Sequence, residues 1–196
     1  MRWIVAALAC ALTGCISTGG REAQRYYILE DTGAKAAESK AARAGVLLLT
    51  PPTTSSFYDT QGIAYSRAPG MRAYYQYHSW TEAPGRRIGE LLAARLERTG
   101  AFSAVASVPG AVRGELVLSI HLTELYHDAA AAPGTARVAL VAELVDPSRR
   151  ALVTRRSFEA SAPAATYDAP GAVQAFNRAI ALLLDDVTAW VDGAAR

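Results

Sequence analysis

Cysteine is nearly absent. The two in the chain, Cys10 and Cys15, fall within the first fifteen of 196 residues, so no disulfide framework holds the rest. Pairing them would close a tiny loop with little to constrain. A metal clip fails too, because no His, Asp or Glu precedes Glu22. Charge of one sign is also lacking. The 20 basic and 18 acidic residues leave a formal +2, which gives no reason to expect a nucleic-acid partner. No apolar run reaches the roughly 20 residues that span a bilayer. Histidine occurs only as His78, His121 and His127. His121 and His127 could share a strand face with Asp128 beside the second, but no third ligand stands at a recognisable spacing for a metal. Hydrogen-bonded or solvated imidazoles are the plainer reading. There is no Gly-x-Ser-x-Gly elbow, no glycine loop after a strand to hold phosphate, and no carboxylate pair placed for acid–base work. The expectation is a protein that is not an enzyme and holds no metal and no cofactor.

What is present begins with the first residues. Arg2 precedes the apolar stretch Trp3 to Leu12, about half a bilayer span, and small residues follow. This is the pattern of a secretory signal. Leu12-Thr13-Gly14-Cys15 resembles the bacterial lipoprotein signal, in which cleavage precedes the cysteine and its thiol carries a diacylglycerol. The alternative is an ordinary secreted protein with a cysteine at this place. On the lipoprotein reading, residues 1–14 are removed, residues 15–24 form a lipidated tether, and residues 25–192 form a single domain. Two or three acyl chains on Cys15 would give a lasting hold where one chain gives only marginal binding. Lipoproteins kept at the inner membrane often carry aspartate after the cysteine. Ile16 therefore leans toward the periplasmic face of the outer membrane.

The remainder alternates between strand and helix signals. "RYYIL" (25–29) reads as a first strand. Residues 31–45 are polar and Ala-rich, a connection or a frayed helix. "VLLLTPP" (46–52) reads as a strand buried on both faces. Residues 62–78 read as a hairpin turning at "APG", with Met71, Ala73, Tyr75 and Tyr77 on one face and Arg72, Tyr74, Gln76 and His78 on the other. Ile88, Leu91, Leu92 and Leu96 mark a helix, with Thr81 as cap, Pro84 in the first turn and Gly100 as stop. Residues 102–108 read as a strand or edge. Leu116 to Leu122, Ala136 to Leu144 and Leu152 to Phe158 alternate as a meander. Val173, Phe176, Ile180, Leu183, Val187 and Trp190 mark a long helix that opens at Asp168 and Pro170. The predicted fold is α+β: a two-layer sandwich of a mixed or mostly antiparallel sheet, with two main helices on one face.

Aromatic residues crowd one region. Phe57 to Trp80 holds five of the nine tyrosines. Tyr74, Tyr75, Tyr77 and Trp80 are candidate partner-binding residues, since exposed tyrosine is common in interfaces. The alternative is that Tyr75 and Tyr77 belong to the core and Tyr74 merely covers the sheet. Arg149, Arg150, Arg155 and Arg156 form a basic spot for lipid headgroups or an acidic partner, or simply a solvated face.

The lipoprotein signal, "RYYIL", "VLLLTPP", "IAYSR" and "MRAYYQYHSW", followed by "APGRRIGELLAARLERTGAFSAV", resemble the ABC-type transport auxiliary lipoproteins over nearly the whole mature chain. The resemblance implies a non-catalytic docking component anchored by Cys15. Its partner would be a mammalian-cell-entry (MCE) domain protein of an ABC transporter that moves lipids between the two membranes. The resemblance also allows self-association into a homo-oligomer. A structural envelope lipoprotein that activates or assembles a cell-wall or secretion machine shares such features and is the alternative.

Overall fold

The computed structural model describes residues 23–33, 45–108 and 113–194. The signal-like segment, Cys15 and most of the 31–45 connection lie outside these residues. Among the described residues, nine strands form one mixed sheet. They are β1 (Arg25–Tyr27), β2 (Val46–Leu49), β3 (Thr53–Thr54), β4 (Gly62–Ser66), β5 (Ala73–Trp80), β6 (Ala104–Ser107), β7 (Leu116–Asp128), β8 (Thr135–Asp146) and β9 (Ala151–Pro163). Two helices accompany them: α1 (Pro84–Thr99) and α2 (Ala169–Ala194).

Strand β7 is the spine. One of its edges takes β8 antiparallel along nearly its whole length, and β9 follows antiparallel on β8. Its other edge serves β2, β3 and β4 in turn, all parallel, with Leu47 opposite Leu116, Thr53 opposite His121 and Tyr65 opposite His127. Beyond β2 lies β6, and beyond β4 lie β5 and then β1. The alternation in β7 and β8 explains the core. Leu116, Leu118, Ile120 and Leu122 are buried with Ala136, Val138, Leu140, Ala142 and Leu144, because every second side chain of a strand faces the same layer. Ile88, Leu92 and Leu96 of α1 and Val173, Phe176, Ile180, Leu183, Val187 and Val191 of α2 close that layer. The expected α+β sandwich with a mixed sheet is the observed architecture.

Several local expectations change. β2 is not buried on both faces: Leu47 and Leu49 are buried, while Val46 and Leu48 are only half-buried. The N-cap of α1 is Ala83 rather than Thr81. The Thr81 backbone N–H instead donates to the Tyr27 carbonyl. Gly100 does stop α1, in the left-handed region at φ 63°, and donates to the Glu97 carbonyl. Asp168 caps α2 as expected, accepting the Gly171 N–H at 2.8 Å.

Two bulges reset which side chains share a face. Thr123 has no opposite residue, since Leu122 pairs with Leu140 and Glu124 already pairs with Ala139. The extra residue turns His121 and His127 to opposite faces. They are not the face-sharing pair that spacing suggested. In β5, Tyr74 pairs with Ala64 while Ser79 pairs with Gly62, so the strand bulges between them. Strict alternation fails there, and the rings of Tyr75 and His78 meet edge to face.

Candidate functional site

The β4–β5 hairpin and the helical turn Ser56–Tyr58 before it gather seven of the sixteen aromatic side chains. The turn presents Phe57, whose ring stacks on Tyr74 with centroids 4.6 Å apart and 10° between planes. The Tyr74 hydroxyl donates to the Phe57 carbonyl, so the ring is fixed at both ends. Tyr58 meets Phe57 edge-on, and its hydroxyl accepts the Arg72 Nε–H at 3.1 Å. The Arg72 guanidinium lies 3.6 Å from the centroid of Tyr126 and 3.8 Å from Glu124. A cation over an aromatic face is favourable, more so where water is partly excluded. Tyr74 is 40% exposed and Met71 equally so. This cluster is therefore rigid, aromatic and open to solvent, which lowers the ordering cost of a contact.

The other face of the hairpin is closed. Tyr65 packs on Tyr75, and the Tyr75 hydroxyl stands 2.8 Å from His127 Nδ1. His127 has no exposed surface, and its Nε2 lies 3.2 Å from the Pro133 carbonyl. A carbonyl can only accept, so Nε2 carries the proton and Nδ1 accepts from Tyr75. Burial pushes the Tyr75 hydroxyl up to about 12, with Tyr167 adding to it. It stays a donor. Burial likewise lowers the His127 pKa, against the Pro133 hydrogen bond and the charges of Asp128 and Asp168. Gly134 beside it adopts φ 88°, and a Cβ there would strike the imidazole. The Tyr27 hydroxyl stands 3.0 Å from His78 Nδ1, extending the network to β1. Neutral, fully satisfied groups of this kind hold a core together and offer no base to a substrate. Among the described residues no group of three His, Cys, Asp or Glu is placed to hold a metal.

The four aromatic candidates thus separate. Tyr74 is exposed on the outer face, Tyr75 belongs to the buried network, and Tyr77 is half-buried. Trp80 lies in the core at 2% exposure, edge-on to Phe176 of α2 at 5.5 Å, and has no face to present. Trp80 ends β5 and joins it to α2. Cys15 lies outside the described residues. Sequence reasoning passed over Arg72 and Tyr126, which join the cluster from sites 54 residues apart in the chain.

A second polar centre was also missed. Arg95, fully buried on α1, binds Asp31 and Asp185, and Arg98 reaches the same Asp31 at 3.2 Å. Burial raises the Asp31 carboxyl, but the Arg95 hydrogen bond, the Gly33 N–H and both arginine charges outweigh it and leave the pKa below its ordinary value. Leu29 is buried, and Asn177 Oδ1 accepts the Glu30 N–H at 3.1 Å. The segment after β1 is thereby strapped across both helices. No helix among the described residues is long and apolar enough to cross a membrane.

Comparison with known proteins gives the following. A family described as the ABC-type transport auxiliary lipoprotein component matches residues 27–188. A solved structure of a DUF330 protein from Xanthomonas campestris is similar at TM-score 0.78 and 20% identity, over 87% of this chain and 96% of that one. A second, described only as an uncharacterized protein, is similar at TM-score 0.68 and 14% identity, over 87% and 99% of the two chains. A hypothetical protein from Chlamydia trachomatis is similar at TM-score 0.51 and 11% identity, over 78% and 98%. These likenesses concern the fold. No curated protein sequence matches the chain.

Proposed function

Because the chain belongs to the family of ABC-type transport auxiliary lipoprotein components, we propose that it is the non-catalytic docking component of an MCE-linked lipid transport system. The domain of residues 25–192 is held by a lipid anchor on Cys15 at the periplasmic face of the outer membrane, and it receives or aligns the MCE-domain protein. The physics suits such a role. Phospholipid chains do not leave a membrane freely for water, and a protein path across the gap needs a fixed end. Two or three acyl chains supply that hold.

The observation that carries the reading is the Tyr74 platform. Its ring is pinned on Phe57 and backed by Tyr58 and Arg72, yet it remains 40% exposed. Pre-ordered tyrosine at a surface is the anchor type that protein interfaces use. Tyr77 lies on the same strand, half-buried, while Tyr75 and Trp80 hold that strand to the body of the fold. The test is affinity purification of the tagged, lipidated chain from gently solubilised membranes. Recovery of an MCE-domain protein, reduced at least fivefold by Tyr74→Ala without loss of fold, is expected. Cys15→Ser should move the chain to the soluble fraction. Recovery of cell-wall synthases or secretion components instead would overturn the transport reading.

A further inference from the structure

The turn between β8 and β9, with the start of β9, combines charge and apolar surface in a way the fold does not require. Four arginines lie within eight residues: Arg149, Arg150, Arg155 and Arg156. Between them stand Leu152 and Val153, 57% and 44% exposed. Both point outward because Val153 has no opposite residue: Leu144 pairs with Thr154, while Val145 already pairs with Leu152. The bulge puts two successive apolar side chains in solvent where a regular strand would have hidden one. Acidic groups nearby offset two of the four charges and leave the other two. Arg149 lies 3.7 Å from Asp146 and Arg155 3.3 Å from Glu143. Arg156 lies over the Phe158 ring, and Arg150 has no ion-pair partner among the described residues. The free edge of β9 pairs with no strand among the described residues.

We infer that this tip is a second docking surface, shaped for a protein partner with acidic groups around a small apolar recess. An apolar centre ringed by arginine is the anatomy of a binding hot spot with a polar rim, and guanidinium groups match carboxylates in paired geometry. A bilayer would also take arginine and leucine, but the position of the tip disfavours it. The described chain enters at β1, whose Arg25 and Tyr26 pair with His78 and Ser79 of β5; Ser79 pairs with Gly62 of β4, three residues before the Tyr65 that stands opposite His127. The tip lies beyond Val145, opposite Val117 at the other end of β7. About seven residues of strand, roughly 23 Å at about 3.3 Å each, separate those levels. The tip therefore lies toward the end of β7 far from β1, where the described chain begins, and is open to a component from across the gap. The inference rests on the docking reading and adds the contact surface and the partner's chemistry.

Photo-crosslinking in the envelope tests it, with Leu152→p-benzoylphenylalanine in the full lipidated chain and adducts identified by mass spectrometry. A protein adduct is expected. It should fall at least tenfold with Arg150→Glu plus Arg156→Glu, and remain with Arg86→Glu on α1. Unchanged melting temperatures show that the variants fold. If the adduct is an MCE-domain protein, both readings stand. If it is another envelope protein with the same charge dependence, the tip stands and the MCE reading falls. Adducts only to lipid or to a second copy of the chain, or insensitivity to charge reversal, would overturn the tip while leaving the Tyr74 test untouched.

Discussion

Arg95 occupies the apolar stripe of α1, between Leu92 and Leu96, with no exposed surface. A charge there is tolerable only because Asp31 and Asp185 meet it. Removing one partner of a buried pair leaves the other unpaired and dehydrated. Arg95→Met should therefore cost about 3 kcal/mol, the low end of the usual range because Arg98 still reaches Asp31. Urea denaturation measures it, and a loss below about 1 kcal/mol would show the network to be ornamental. Asn177, which ties the strap to α2, and Thr188 illustrate the opposite cases. Thr188 is buried, and its hydroxyl has no hydrogen-bond partner among the described residues. Thr188→Val keeps the shape and removes the unpaired oxygen, so it should stabilise by about 0.5–1 kcal/mol. A destabilised variant would mean that the hydroxyl has found a partner. Neither site was legible in the sequence. Ile88, Leu92 and Leu96 announced the stripe, but the partners of Arg95 stand 64 and 90 residues away, and nothing local encodes such a meeting.

Elements were far more legible than contacts, because hydrophobic period is a local property. The stripes of α1 and α2 and the alternation of β7 and β8 could be read directly, and these four elements hold most of the core. Reading failed where a bulge breaks the period. Counting by twos along β7 put His121 and His127 together; the extra Thr123 separates them and delivers His127 to the core beside Tyr75. The same bulge predicts an unusual tolerance. Deleting Thr123 restores plain alternation, with Leu122, Leu125 and His127 still inward and the pairing with β8 intact. Deleting Ser119, in the regular part, reverses every side chain on one side of the cut. The Thr123 deletion should fold with a modestly lowered melting temperature, whereas the Ser119 deletion should yield no cooperative unfolding. Near-ultraviolet circular dichroism and thermal melts distinguish them. Equal damage from both would mean that the bend, not the facing, is what β7 needs in order to serve β2, β3 and β4 in turn. The hairpin aromatics were half legible for the same reason: alternation set Tyr74 and Tyr75 on opposite faces, but the β5 bulge, which turns Trp80 into the core, was not readable.

At the scale of the whole molecule, the sheet and the two helices share one buried cluster, and buried titratable groups tie its stability to pH. His127 is held neutral in the fold, with its pKa lowered from an ordinary 6.5. The unfolded chain therefore binds a proton that the native chain refuses. The stabilisation is complete above pH 6.5 and is lost as pH falls from there toward the native value. Asp31 works lower on the scale. Its native pKa lies below an ordinary 3.8, so its contribution is complete above that value and disappears as pH falls through the native one. The wild-type melting temperature should accordingly be level above about pH 7, decline as pH drops below 6.5, and decline again below about 3.8. The first decline has a limiting slope of about 1.4 kcal/mol per pH unit for one proton. His127→Gln keeps an acceptor for Tyr75 and a donor for the Pro133 carbonyl but cannot be protonated. It should lower stability at pH 7.5, flatten the first decline and leave the second in place. Melts of the two proteins from pH 3 to 8 decide it: parallel curves between pH 5 and 7 would assign that decline to some other group and leave His127 a purely structural link between β7 and the hairpin.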